Sequence, residues 1–337
     1  MKTKNAAGRI IETAVGGKKH KPFSGAKKYS RNQKISNLSD ALKKCGIKNG
    51  HTLSFHHQLR NGDRVINTTL AAVDELGIKN IRMAQTAMFN VHEPVIDFIK
   101  KGVVNRIEGS INGVVGDFIS KNPLHYPVVL RSHGGRWFAI KTDELHVDIA
   151  IIAASSSDNK GNCTGIIGKS AFGPLVYSQI DSCKADKVIV VTDDIVEYPC
   201  KYQEITEEYV DYVVGVESIG DPEHIVSGTT KITEDPMKQG IARSCIDLMD
   251  AAGIIKNGMS FQSGAGAISL AVTKYLGEIL EEKKVTAEFV IGGITKYLID
   301  IYEKGNAKKL YFGQCFDSES AKYISENPGV PILNVGH

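Results

Sequence analysis

Gly46-Ile47-Lys48-Asn49-Gly50, followed two residues later by Leu53-Ser54-Phe55-His56, returns in the second half of the chain as Ile254-Ile255-Lys256-Asn257-Gly258-Met259-Ser260-Phe261-Gln262. In each copy a Lys-Asn-Gly turn leads into a short apolar segment that reads as a strand. The turn-to-strand spacing differs by two residues, which on a strand keeps every side chain on its original face. A second match follows in the same order. Phe98-Ile99-Lys100-Lys101-Gly102 and the run ending at Ile107 return as Ile301-Tyr302-Glu303-Lys304-Gly305 and the run ending at Leu310. Two ordered matches argue for internal duplication, with chance similarity of lysine-rich helix ends as the alternative.

Outward from the repeat, apolar periodicity predicts a helix over 65–76 and a strand over 81–84. Asn90 is expected to cap a helix through Lys100, stopped by Gly102. Strands are expected over 104–107, 128–130, 147–153 and 188–191, with a helix near 169–177. The second copy predicts a helix from about Pro236, a helix over 268–280 and a strand over 288–291. This alternation implies an α/β fold of two related domains with mostly parallel sheets and helices on both faces. The turn-rich stretch 215–233 separates them. The expected layout is a basic N-terminal arm over 1–34, a first domain over 35–225 and a second over 226–337. The second copy stops before any counterpart of the segment after residue 130, and so reads as incomplete.

The 337 residues are 42% hydrophobic and 23% charged, ordinary for a globular protein. No apolar run approaches membrane-spanning length, and the N-terminus lacks the apolar core of a secretory signal. The six cysteines lie far apart with no CxxC pair, which fits reduced thiols in a cytoplasm better than disulfides or a zinc site. The net charge of +3 hides an asymmetry: residues 1–34 carry +9 and the remainder −6. Few aromatics interleave with these lysines and no nucleic-acid-binding motif appears, which argues against nucleic acid and leaves a solvated tail or an acidic protein partner.

Arg131-Ser132-His133-Gly134-Gly135-Arg136 places three basic residues beside flexible backbone at a predicted strand end, where ligands of α/β sheets collect. It is either a basic turn or a grip on a substrate with several carboxylates. His56 and His57 point to opposite sides of an extended chain, so they would not share a metal, and no zinc spacing is present. Each is either structural or, with Arg60 and Asn61, part of an anion site able to move a proton. In the second copy Gly264-Ala265-Gly266 opens a helix and lets backbone N–H groups approach a carbonyl oxygen or phosphate, or simply packs closely. It is not GxGxxG, so a dinucleotide site is not supported. Gly292-Gly293 leaves space for a ligand and supplies no nucleophile. Asp158 to Asn162 reads as a turn.

Together these segments, with Asn90-Val91-His92-Glu93-Pro94 and Gly292-Gly293-Ile294-Thr295, resemble the citrate lyase alpha-subunit family of the family I coenzyme A transferase superfamily. The resemblance runs from about Lys21 to the end of the chain. It implies that acetyl on a carrier-protein thiol is exchanged for citrate, giving citryl-carrier protein and acetate. A beta subunit then cleaves the citryl thioester. The implied partners are that beta subunit, a gamma acyl carrier protein, citrate and acetate, in an oligomer, with neither nucleic acid nor membrane. No cofactor is bound directly: the carrier's phosphopantetheine-type group, or acetyl-coenzyme A, enters as thioester substrate. Arg60, Asn61, Arg131, His133 and Arg136 are implied to bind citrate, and His56 or His57 to polarise or position a reacting group. Gly264, Ala265, Gly266, Gly292 and Gly293 are implied to receive the thioester oxygen and the pantetheine arm.

Two departures qualify the resemblance. Family members continue past the point matching His337. Typical coenzyme A transferases also carry a glutamate in Ser-Glu-Asn-Gly where this chain has Gly292-Gly293, whereas Ser325-Glu326-Asn327-Pro328 lies further along and fits a helix end. The missing glutamate implies direct attack of a citrate carboxylate on the thioester. The rival readings are a coenzyme A transferase for another short-chain carboxylic acid and a non-catalytic assembly subunit.

Overall fold

The repeated Lys-Asn-Gly turns make the same hydrogen bonds in both halves of the chain. Asn49 Oδ1 accepts from the Lys79 N–H at 2.8 Å, and Asn257 Oδ1 accepts from the Thr286 N–H at 2.8 Å. Gly50 and Gly258 have φ of +84° and +82°, a conformation that favours glycine. Each turn thereby ties the start of one strand to the start of its neighbour. The computed structural model describes residues 34–226 and 230–333, and the backbone of a hairpin of Lys2–Lys4 and Ile10–Glu12. Most of the expected basic arm lies outside the described residues. Its last member, Lys34, is buried and donates to the Val210 carbonyl at 2.7 Å.

In the first half the chain runs helix Leu38–Lys44, strand Thr52–Phe55, helix Val65–Glu75, strand Ile81–Gln85, helix Val95–Lys100 and strand Val104–Ile107. The second half repeats it as Pro236–Ala251, Ser260–Ser263, Ala267–Lys283, Phe289–Ile294, Lys296–Glu303 and Leu310–Cys315. Both series end alike, in a helix followed by a parallel bridge: Gly113–Lys121 before Glu108↔Val129, and Ser318–Glu326 before Phe312↔Ile332.

The first half contributes to a seven-stranded sheet, ordered Ile35–Ser36, Tyr212–Gly215, Lys187–Thr192, Ile149–Ala154, Thr52–Phe55, Ile81–Gln85 and Val104–Ile107, with every pairing parallel. Its middle strand Ile149–Ala154 is buried at all positions, as expected of a parallel sheet covered on both faces. The second half forms a three-stranded parallel sheet of Ser260–Ser263, Phe289–Ile294 and Leu310–Cys315. Each sheet centres its own hydrophobic core, one around Leu53 and Ile151, the other around Val290 and Phe312.

Three expected elements differ. No helix forms over 169–177: Gly168 and Gly173 have φ of +99° and +95°, Pro174 follows, and the helix starts only at Ser178–Lys184. The strand over 128–130 shrinks to the Val129 bridge, with Leu130 73% exposed. The helix capped by Asn90 splits at Pro94 into a 3-10 turn Asn90–His92 and the helix Val95–Lys100.

The turn expected at Asp158 forms around that carboxylate. Oδ1 accepts from the N–H groups of Lys160, Gly161 and Asn162, and Oδ2 from Asn162 Nδ2 at 2.7 Å and the Cys200 N–H at 2.9 Å. Asp158→Ala should therefore cost on the order of 3–5 kcal/mol, because buried donors lose their acceptor. Urea denaturation measures this, and a loss under about 1 kcal/mol would contradict it.

Candidate active site

A cavity of about 410 Å³ opens at the C-terminal ends of the strands Thr52–Phe55, Ile81–Gln85 and Val104–Ile107 and is closed on one side by Ala265 of the second half. Ligand sites of parallel sheets form at this end because successive loops converge there. His57, Arg60 and Asn61 come from the loop after the first strand, Phe89 and Asn90 from the second, and Ser110, Asn112 and Gly113 from the third. His133 completes the wall.

The adjacent histidines stand in different surroundings. His57 lines the cavity, its Nδ1 bonded to Thr86 Oγ1 at 2.5 Å and its ring stacked on His133 with centroids 4.8 Å apart. Tyr177 packs against both rings. His56 does not line the cavity. It is 5% exposed, and neither ring nitrogen has a hydrogen-bond partner. Burial lowers its pKa to about 4 against the opposing field of Asp181, and the charge of Arg136 pushes the same way as burial. Burial also lowers the pKa of His57 and His133, helped by neighbouring positive charge. At neutral pH all three imidazoles are uncharged.

Arg60 is the permanent charge of the cavity. It is 5% exposed, with its guanidinium carbon 4.8 Å from the centroid of Phe89 and 5.0 Å from that of Phe316. Its Nε has no hydrogen-bond partner, and no carboxylate among the described residues pairs with it. Burial lowers its pKa to about 10, so it stays a cation at neutral pH. Its backbone lies in the left-handed region at φ +53°, which non-glycine residues adopt only when their surroundings impose it.

Three helices also begin at this wall. Gly113 and His133 are first residues of the helices Gly113–Lys121 and His133–Lys141, and Ala265 stands just before Ala267–Lys283. Gly266 has no side chain with which to cap that last helix. Helix N-termini and one uncompensated guanidinium give the cavity a positive field, and among the described residues its wall holds no carboxylate and no thiol.

The other expected site residues lie elsewhere. Arg136 turns inward from its helix and binds Asp181 through two nitrogens, at 3.0 and 2.6 Å, and the Ala84 carbonyl at 2.7 Å. Burial opposes the Asp181 charge, but the Arg136 guanidinium outweighs it and holds the carboxyl below its usual range. Arg131 is engaged by Glu108 at 2.6 Å and Glu144 at 2.8 Å. In the structure both guanidiniums of the expected arginine clamp are engaged by protein carboxylates, and His133 is the part of that segment that lines the cavity. The room left by Gly292-Gly293 is likewise filled by protein. Gly292 packs against the Ser263 carbonyl, and a Cβ on Gly293 would overlap the ring of Phe316. Gly264 and Gly266 flank Ala265 without lining the cavity themselves.

The family model "Citrate lyase, alpha subunit (CitF)" matches residues 31–333. The chain belongs to the citrate lyase alpha-subunit family. It is 40% identical over 294 residues to the citrate lyase alpha chain of Haemophilus influenzae, and 36% identical over 301 residues to that of Escherichia coli. Its fold superposes with a TM-score of 0.86, at 40% identity, on the structure of a putative citrate lyase alpha subunit from Streptococcus mutans in complex with citrate, covering 91% of this chain. The chain spans 59% of the length of the first two relatives and 61% of the third. A malonate decarboxylase from Pseudomonas, at 17% identity and a TM-score of 0.67, shares the fold.

Within this family member, sequence reading missed Phe89, Ser110, Asn112, Tyr177, Gln314 and Phe316. Phe89 and Asn112 stand in loops whose only local signal is a strand end three to five residues before each. Gln314 bonds the His57 carbonyl at 3.0 Å from the other half of the chain, and no local pattern announces that. Among the described residues one group of metal-ligating type comes together, His146, Asp148 and Asp186, and none of the three lines the cavity.

Two outcomes follow from these environments. Arg136→Met should lower stability by about 3–5 kcal/mol by stranding the Asp181 charge, whereas Arg60→Met should leave thermal stability unchanged or raised. Equal losses in the two melting curves would contradict the assignment. His56 binds its proton at about pH 4 when folded and near 6.5 when unfolded. The stability it contributes is complete above pH 6.5 and is lost as pH falls towards 4, by about 1.4 kcal/mol per pH unit. Unfolding followed across that window in His56→Leu should show a correspondingly shallower slope.

Proposed function

We propose that this chain exchanges acetate for citrate on the thioester of an acyl carrier protein, converting acetyl-carrier protein and citrate into citryl-carrier protein and acetate. The observation that carries the reading is a buried guanidinium, Arg60, with no counter-anion among the described residues, in a cavity whose described wall contains no carboxylate. An unpaired buried cation favours an anionic ligand strongly. The Streptococcus mutans relative, described in complex with citrate, supports citrate as that ligand.

In this reading Arg60 holds one citrate carboxylate, while Asn61, His133 and His57 offer uncharged hydrogen-bonding groups. The Asn61 amide is already oriented, its Oδ1 accepting from the Val91 N–H at 3.1 Å. A second citrate carboxylate attacks the acetyl carbonyl carbon, the carbon–sulfur bond breaks, and the carrier thiolate leaves with both electrons of that bond. A mixed acetyl–citryl anhydride results. The thiolate then attacks the citryl carbonyl, the anhydride carbon–oxygen bond breaks, and acetate departs. The helix N-termini at Gly113 and Ala267 stabilise the negative charge that develops on the carbonyl oxygen. No acyl-enzyme forms, consistent with glycine in place of the glutamate at 292–293. Arg131 and Arg136 hold the wall in place and take no part in binding.

The carrier's phosphopantetheine-type arm, or acetyl-coenzyme A in its place, approaches past Ala265. A beta subunit and a gamma carrier subunit in a cytoplasmic oligomer complete the proposed setting. The test uses carrier protein charged with labelled acetate. Labelled acetate should be released only when citrate is present, and Arg60→Met should reduce kcat/KM for citrate by about a hundredfold or more. Citrate binding without exchange would reduce the chain to a binding subunit. A glutamyl thioester trapped with borohydride or hydroxylamine would exclude direct transfer, and exchange that prefers a monocarboxylate would exclude citrate.

A further inference from the structure

The guanidinium of Arg60 belongs to the first half of the chain, yet one of the two rings packed against it comes from the second. The strand Leu310–Cys315 points its C-terminal end at the cavity loop. There Gln314 donates to the His57 carbonyl at 3.0 Å, the same oxygen that accepts the Arg60 N–H at 3.0 Å and so closes the turn. Gln314 Oε1 in turn accepts from the Tyr177 hydroxyl at 3.2 Å. Two residues on, the Phe316 ring lies 5.0 Å from the guanidinium carbon, joining Phe89 at 4.8 Å. The Phe316 ring occupies the space that a side chain at Gly293 would need.

We infer that Gln314 and Phe316, with Gly293 behind the ring, are positioning residues by which the second sheet sets the place of the carboxylate-binding Arg60. The physical case has three parts. An arginine in the left-handed region returns to ordinary backbone angles unless contacts hold it there, and Gln314 supplies one such contact on the turn. A guanidinium flexes along its stem unless its head is packed, and here two aromatic rings, Phe89 from the first half and Phe316 from the second, present their faces to it. The ring reaches this position only because residue 293 lacks a Cβ. Glycine at 293 is thus a device for orienting Arg60 as well as an absent nucleophile. The inference rests on the proposed carboxylate site, and its test separates the two.

Citrate affinity is measured by titration calorimetry on the whole chain. In parallel, the rate at which phenylglyoxal modifies Arg60 is followed by peptide mass spectrometry, which needs no citrate. Phe316→Ala should weaken citrate about tenfold and raise the Arg60 modification rate severalfold, with Gln314→Leu moving both readouts in the same direction. Gly293→Ala should do likewise in the wild-type background. In the Phe316→Ala background it should add nothing, since the methyl then occupies vacated space. Penalties that add in the double variant, or single variants that leave both readouts unmoved, would overturn the inference. Modification rates that respond as expected in a protein that binds no citrate would leave the positioning intact and defeat the citrate reading.

Discussion

A buried guanidinium with no carboxylate beside it among the described residues is the constraint on which the site depends. Burying such a charge is unfavourable by several kcal/mol, even after relaxation of its surroundings. The fold accepts that expense at Arg60 and avoids it at Arg136, which lies equally deep but is neutralised by Asp181 and bonded to the Ala84 carbonyl. The contrast separates a residue that holds the protein together from one left for something to bind. The two aromatic rings packed against Arg60 lessen the desolvation loss without neutralising the charge.

The same contrast explains what sequence reading could and could not reach. The repeat was legible because a Lys-Asn-Gly turn is local chemistry: the asparagine side chain and the glycine angle are both dictated within a few residues. Alternating strands and helices and the parallel sheets follow from periodicity alone. Whether an arginine is free does not. Asp181 lies 45 positions from Arg136 and Glu108 lies 23 from Arg131, so a basic cluster that looked like a clamp was neutralised by partners invisible from within the cluster. Arg60 carried the weaker local signal and proved to be the cavity's cation.

Glycine misleads for a related reason. A glycine pair at a strand end announces space, and only the tertiary structure says what fills it. At Gly293 the occupant is Phe316, a residue whose own signal is that of any aromatic after a strand. The space expected for a ligand is used one step earlier, to seat the ring that seats the guanidinium. Functional meaning is thereby displaced from the residue to the contact it permits.

Charge economy in the cavity bears on the proposed chemistry in a way that no single residue does. A carboxylate that must attack a thioester has to be held without losing its nucleophilic electrons, and a site crowded with cations would quench it. Here one guanidinium supplies charge, and the two imidazoles facing the cavity are uncharged at neutral pH because burial and neighbouring positive charge lower their pKa. A tricarboxylate can give one group to Arg60 and keep another only weakly compensated. Among the described residues no acidic side chain lines the wall, which spares the ligand repulsion and offers no carboxylate there to intercept the acyl group. A single strong anchor among neutral hydrogen-bonding groups is thus better matched to transfer between two carboxylates than the cluster of arginines that the sequence led one to expect.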